Sequence, residues 1–193
     1  VPRAGLTPAA VVEEAARVGD AAGFDRLSLA AVAKRLNVAV PSLYKHVDGL
    51  DGLRRAVAVA AAGQLAEALG RAAMGRSGPD AVRALADAYR AFARAHPGRY
   101  AALQTSPAPG DAEAAAAFYA PVEVFQAVLR GFGVAEDARV DVIRAVRSAL
   151  HGFVDLETRG GFGLADDVDR SFGVLVEGLV DLVAGRAAGS APG

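Results

Sequence analysis

An all-α fold of nine helices is what this sequence predicts, and three observations predict it. Apolar residues fill 53% of the 193 positions. Ala, Val and Leu dominate them, and no polar–apolar alternation persists beyond a few residues, so the two-residue period of a strand is missing. Such Ala- and Leu-rich composition favours helix by roughly 0.5 kcal/mol per residue over weaker formers. Capping residues, Gly and Pro then punctuate the chain at helix-length intervals. Finally, residues 28–53, SLAAVAKRLNVAVPSLYKHVDGLDGL, read as two short helices joined by a tight turn, the layout of a helix-turn-helix.

The elements follow in order. Thr7-Pro8 opens the first helix, with a hydroxyl cap followed by proline where a missing N–H costs nothing. Val11, Ala15 and Val18 form its apolar stripe and Gly23 ends it. Phe24 and Leu27 plug a small three-helix unit. Ser28 caps the second helix, whose apolar positions are Leu29, Val32, Ala33 and Leu36. Asn37 takes the turn, since Asn tolerates positive φ. Val40-Pro41 opens a third helix running to about Val47, which Asp48-Gly49 breaks. A longer helix spans about Leu50–Leu69, followed by a Gly-rich linker, GRAAMGRSGPD. Pro79-Asp80 opens the fifth helix, which runs to His96 and stops at Pro97-Gly98. A short helix covers about Arg99–Gln104, and TSPAPGD is a loop. Asp111 caps a seventh helix to Arg130. Pro121 inside it allows either a kinked helix or two helices meeting at Ala120. Two final helices, about Glu136–Thr158 and Asp167–Arg186, flank RGGFGLA. A helix-turn-helix domain over 1–52, a helical domain over 53–186 and a disordered tail over 187–193 are expected.

Composition excludes several functions. There is no cysteine, hence no disulfide and no thiolate metal site. His46, His96 and His151 lack metal-ligand spacing. No segment approaches the ~18 consecutive apolar residues of a membrane span, and VPRAGLTPAA lacks a signal-peptide pattern, so a cytoplasmic protein without a membrane partner is expected. The net charge of −1 hides a weak asymmetry. Residues 1–55 hold eight Lys/Arg against six Asp/Glu, and the remainder thirteen against sixteen. No paired carboxylates, nucleophile elbow or phosphate loop argue for an enzyme. GGFG at 160–163 follows a helix, not a strand, and reads as a turn. No cofactor is expected.

The stretch LAAVAKRLNVAVPSLYKHVDGLDGL resembles the DNA-binding segment of TetR-family transcriptional regulators over about residues 7–60. A looser likeness covers 147–179, which resembles the C-terminal domain of the TetR subgroup named for a Trp-His-Gly motif; here the motif is Leu150-His151-Gly152. The resemblance implies a nine-helix TetR-like fold, an obligate homodimer whose last two helices pair into a four-helix bundle, and a ligand cavity. Asn37 and Ala39 stand where the family often has Gly and a hydroxyl residue, and Leu50 where many members carry lysine. The phosphate anchors are thereby thinned, which flattens the salt dependence of binding by about 0.9 log units per decade of salt for each lost contact. Grip would shift to Arg26, Lys34, Arg35, Arg54 or Arg55.

For the DNA contact, the candidates are Ser28, Val40, Pro41, Ser42, Tyr44, Lys45 and His46. Tyr44 and His46 can donate to phosphate oxygen. Lys45 can reach guanine or a phosphate, and Val40, Pro41 and Ser42 are placed for base edges and thymine methyls. Without the surrounding pattern, Tyr44 would read as a core-edge aromatic and Lys45 as a solvated charge. Leu43 and Val47 belong to the core. Candidate cavity walls are Leu103, Phe118, Tyr119, Val122, Phe125, Leu129, His151 and Phe153, with Tyr119 and His151 as orienting groups; filling the core is an equally open role for each. The dimer candidates are Ser148, Gly152, Val168, Phe172, Leu175, Val176, Leu179, Leu182 and Val183. Small residues inside these helices cost roughly 1 kcal/mol where they are Gly, which close helix approach would offset.

These readings point to a ligand-responsive regulator, a repressor by expectation. It would bind a palindromic double-stranded operator as a homodimer and be released by a small, mainly apolar effector. The alternative is an effector-independent architectural or division-control protein on the same fold.

Overall fold

In the computed structural model, residues 6–189 are described, and among them the chain forms nine α-helices and one 3-10 turn, with no strand. It divides into two compact units, Val1–Gln64 with Ala95–Phe118, and Leu65–Arg94 with Tyr119–Gly193.

In the first unit, α1 (Pro8–Ala22) starts where the Thr7 hydroxyl accepts the Ala10 N–H at 3.2 Å and ends at Gly23, φ 96°. A 3-10 turn, Phe24–Arg26, leads into α2 (Leu29–Leu36). There the Ser28 hydroxyl accepts the Ala31 N–H at 3.2 Å. Asn37 is left-handed at φ 54°, ψ 47°, and its N–H closes the helix end on Lys34. Val11, Ala15, Val18, Leu27, Val32 and Leu43 make the core, sealed by Leu53 and Val57 of α4 (Gly49–Ala73).

α3 is shorter than expected, spanning Val40–Leu43. The N–H groups of both His46 and Val47 converge on the Leu43 carbonyl, at 2.8 and 3.1 Å, tightening the backbone into a turn. Gly49 at φ 66° then redirects the chain into α4. α4 in turn outruns its expected end by four residues. A single Gly70 costs only about 1 kcal/mol in a helix, and the Arg71–Glu67 pair one turn apart supports that stretch. The expected boundary at 52/53 falls inside α4, as it does inside the helix expected there.

α6 (Pro97–Ala102) also belongs to the first unit. Pro97 occupies its first turn, so the proline that follows the end of α5 at Ala95 also opens the next helix. Gly98 lies against the α1 backbone: a Cβ there would stand 2.1 Å from the Gly19 carbonyl carbon. Beside it Arg99, 6% exposed, donates its backbone N–H to Asp20 at 2.9 Å. Its guanidinium meets Asp20 at 3.0 Å and Glu13 at 2.8 Å. The Asp111 carboxylate accepts the Ala114 N–H at 3.1 Å, capping α7 (Ala112–Phe132), and meets Arg55 of α4 at 2.5 and 2.6 Å. α7 runs through Pro121 as one helix, deciding between the two readings of that proline.

The second unit holds α5 (Gly78–Ala95, to Arg94), the rest of α4 and α7, α8 (Glu136–Thr158) and α9 (Val168–Ala188). Asp167 caps α9 by accepting the Asp169 N–H at 2.9 Å. Ala187 and Ala188 are helical, so the expected tail loses its first residues to α9; 190–193 lie outside the described residues. Arg90, 8% exposed, forks onto Glu157 at 2.9 and 2.5 Å, reaches Asp169 at 2.7 Å, and lies 4.5 Å over the Phe172 ring. One arginine thereby ties α5, α8 and α9 together.

Candidate functional site

The segment Val40–His46 offers a compact, mixed surface. Leu43 is sealed in the core and Val40 packs half-buried against it. Pro41 and Lys45 are exposed, Tyr44 is 60% exposed, and Ser42 and His46 are half-buried. A bulky phenol left in water beside a lysine, on a segment whose other face is core, is a surface suited to a polar, anionic partner. Ser28 stands apart from this group, because its hydroxyl is engaged as the α2 cap.

The cations expected to share the grip separate into two sets. Arg35 pairs with Glu14, Arg54 donates to the Asp25 carbonyl at 3.2 Å, and Arg55 is forked onto Asp111 and bonded to Glu113 at 2.7 Å. Arg26, Lys34 and Lys45 are exposed and make no ion pair among the described residues. The arginine beside Asp111 holds that carboxyl down to about 2, well below its ordinary value, with the Ala114 N–H adding to the effect.

Within the second unit lies an open cleft of about 660 Å³. Ala66, Gly70 and Ala73 of α4 line one side, and Ala120, Val124 and Ala127 of α7 the other. Arg76, Ser77 and Glu123 provide polar groups at this otherwise apolar surface. None of the eight expected wall residues lines it. Leu103 is buried in the first unit, and Phe118 packs on that unit's core. Phe125 and Leu129 are core of the second unit. Val122 and His151 are half-buried, and exposed Tyr119 donates to Gln126 at 3.2 Å. Phe153 joins Phe162 and Phe172 at 4.8 and 5.1 Å. The cleft lies where side chains are small, on a different face of α7 from its large residues.

The dimer candidates also divide. Phe172, Val176, Leu179 and Val183 are at most 6% exposed and fill the subunit's own interior. Val168 and Leu175 are half-buried. Ser148 and Gly152 on α8 and Leu182 on α9 are exposed. Two further large apolar side chains of α8 and α9 stand in solvent, Leu156 at 49% and Val174 at 71% exposed. A period-four count along α9 joins Val174, Gly178 and Leu182 in one strip.

Among the described residues no helix is long and apolar enough to cross a membrane, and no three His, Asp or Glu side chains gather to hold a metal ion.

Comparison with known proteins agrees with this geometry. Residues 3–57 match the model of the bacterial regulatory proteins of the tetR family, and residues 82–179 match that of the tetracyclin repressor-like C-terminal domain. An uncharacterized HTH-type transcriptional regulator of Mycobacterium tuberculosis is 38% identical over 181 residues, covering 93% of this chain and 81% of its own. Another, from Bacillus subtilis, is 32% identical over 167 residues, covering 86% and 87%. Among solved structures, a TetR variant from Acinetobacter baumannii in complex with minocycline shares the fold, with a TM-score of 0.68, 22% identity and coverage of 97% and 100%. These relatives are regulators and not enzymes. Reader helices, capped helical body and matched families together make this chain a member of the TetR family of DNA-binding transcriptional regulators.

Proposed function

We propose that the chain is a ligand-responsive repressor that binds a palindromic operator as a homodimer in the cytoplasm and is released by a small, mainly apolar effector. The carrying observation is the double duty of α4. Its N-terminal half supplies Leu53 and Val57, both 0% exposed, to the core beneath α3, and its C-terminal half lines the 660 Å³ cleft. A ligand that favoured one position of α4 in the cleft would favour one setting of the reader. The Acinetobacter relative with minocycline supports the view that this fold accommodates an effector.

Two copies joined through the exposed strips of α8 and α9 would supply the two readers of a palindrome, with half-sites about 34 Å apart or a little more. Gly152 and Gly178 support that face. Each weakens its helix, and a Cβ at either would meet nothing within 4 Å in its own subunit. Close approach by a second copy supplies the reason the subunit lacks.

A titration of operator binding against a panel of lipophilic compounds tests the proposal. A ~100-fold loss of affinity requires about 2.7 kcal/mol of differential ligand binding between the two conformers. A panel that leaves affinity unmoved overturns the sensing role.

A further inference from the structure

We infer that this chain reads its operator chiefly through the C5 methyl groups of thymine, with Pro41 and Ala39 as the specificity-determining side chains, and not through forked hydrogen bonds to base edges. The inference rests on α3 and its flanks being the reading segment.

Forked hydrogen-bond readout in the major groove uses a small set of side chains: Arg or Lys for guanine, Asn or Gln for adenine; Asp or Glu accept from cytosine, and a Ser or Thr hydroxyl can make a single bond to either. Between Val38 and Val47 the chain has no Arg, Asn, Gln, Asp or Glu. Its outward-facing residues are Ala39, Pro41, Tyr44 and Lys45, while Val40, Ser42 and His46 are half-buried and Leu43 is sealed. Asn37, the nearest carboxamide, belongs to the turn that ends α2, where its left-handed backbone accounts for its identity.

Forks from elsewhere are largely committed. Arg35 is held by Glu14, Arg54 by the Asp25 carbonyl, and Arg55 by Asp111 and Glu113. Arg26 and Lys34 belong to the 3-10 turn and to α2, where they can serve phosphates. Lys45 can satisfy one guanine per reader. Beside the single half-buried hydroxyl of Ser42, what remains for the bases is apolar: the Pro41 ring and the Ala39 methyl at the start of α3. The thymine methyl is the apolar landmark of the major groove.

The test uses the full chain and an operator selected from a random duplex pool. Thymines in that operator are replaced singly by deoxyuridine, which removes only the methyl, and guanines singly by 7-deazaguanine, which removes only N7. One or two thymine positions per half-site should each lose about four-fold in affinity, the worth of one buried methyl-sized group. In Pro41→Ala, or in Ala39→Gly if the former folds poorly, thymine and deoxyuridine should be bound more nearly alike at one of those positions. At most one guanine per half-site should matter.

Equal affinity for every deoxyuridine operator overturns the inference, as does strong dependence on N7 at several guanines. If Tyr44→Phe/Lys45→Ala binds the selected operator as tightly as wild type, the reading role of α3 and its flanks itself fails. That result is distinguishable from the others because it does not depend on base chemistry.

Discussion

Gly98 meets Gly19 backbone to backbone: a Cβ on Gly98 would lie 2.1 Å from the Gly19 carbonyl carbon and 2.3 Å from the Asp20 nitrogen. No rotamer change relieves that approach, because the atoms met are main chain. Two distant segments are thereby joined in one unit, α6 seated on α1 beside the core that supports the reader.

Gly98→Ala should accordingly be costly, by about 3 kcal/mol, at the upper end of overpacking. Gly19→Ala gives the contrast. Its Cβ would find Phe24 and the Gly98 Cα at 3.7 to 3.9 Å, ordinary contact distance. Alanine is also the better helix former by about 1 kcal/mol. Equilibrium denaturation of the two variants should show one clearly destabilised and the other within about 1 kcal/mol of wild type.

Arg99 holds the same joint electrostatically. Truncating it to Met leaves Asp20, whose side chain is 16% exposed, without its principal cation. That should cost about 3 kcal/mol, since the loss of one partner strands a largely buried charge. Asp20→Asn/Arg99→Met should recover part of the loss, and a double-mutant cycle by denaturation measures how much.

The Arg55–Asp111 clasp predicts an acid dependence with a definite sign. Asp111 titrates at about 2 in the folded chain against an ordinary 3.8. A carboxyl lowered on folding stabilises the fold above its ordinary value, and that contribution is lost as pH falls from about 4 to about 2. Glu157, held down by Arg90, shifts in the same direction. The melting temperatures of wild type and Asp111→Asn should therefore differ above pH 4 and converge toward pH 2. A constant gap across that range would contradict the clasp.

Val174, 71% exposed on α9, tests the proposed dimer face. Val174→Glu should leave helix content unchanged, because the side chain contributes little to the subunit's core. Light scattering should then show a monomer at micromolar concentration, and operator affinity should fall by more than ten-fold. A dimer of wild-type stability would place the contact elsewhere.

What was legible in the sequence was local. The caps at Thr7, Ser28 and Asp111 and the left-handed turn at Asn37 each depend on a few neighbouring residues, and each lies where the chain's pattern put it. The α6–α1 joint was not legible, because it pairs Gly19 with Gly98 and Asp20 with Arg99 across nearly eighty residues. Nor was the cleft: a search for large apolar walls selects Phe125 and Leu129, which fill the interior, whereas space is left by alanine and glycine. The same bias assigned Phe172 and Val183 to a partner when their own subunit uses them. α3 ends early because two N–H groups share the Leu43 carbonyl, which no period in the sequence announces.

The most direct measurement is a fluorescence-anisotropy titration of the selected operator with wild type and with Tyr44→Phe/Lys45→Ala, each checked for unchanged helix content. Reading through the exposed side chains of residues 40–46 predicts that the double variant loses operator binding. Affinity equal to wild type would contradict it.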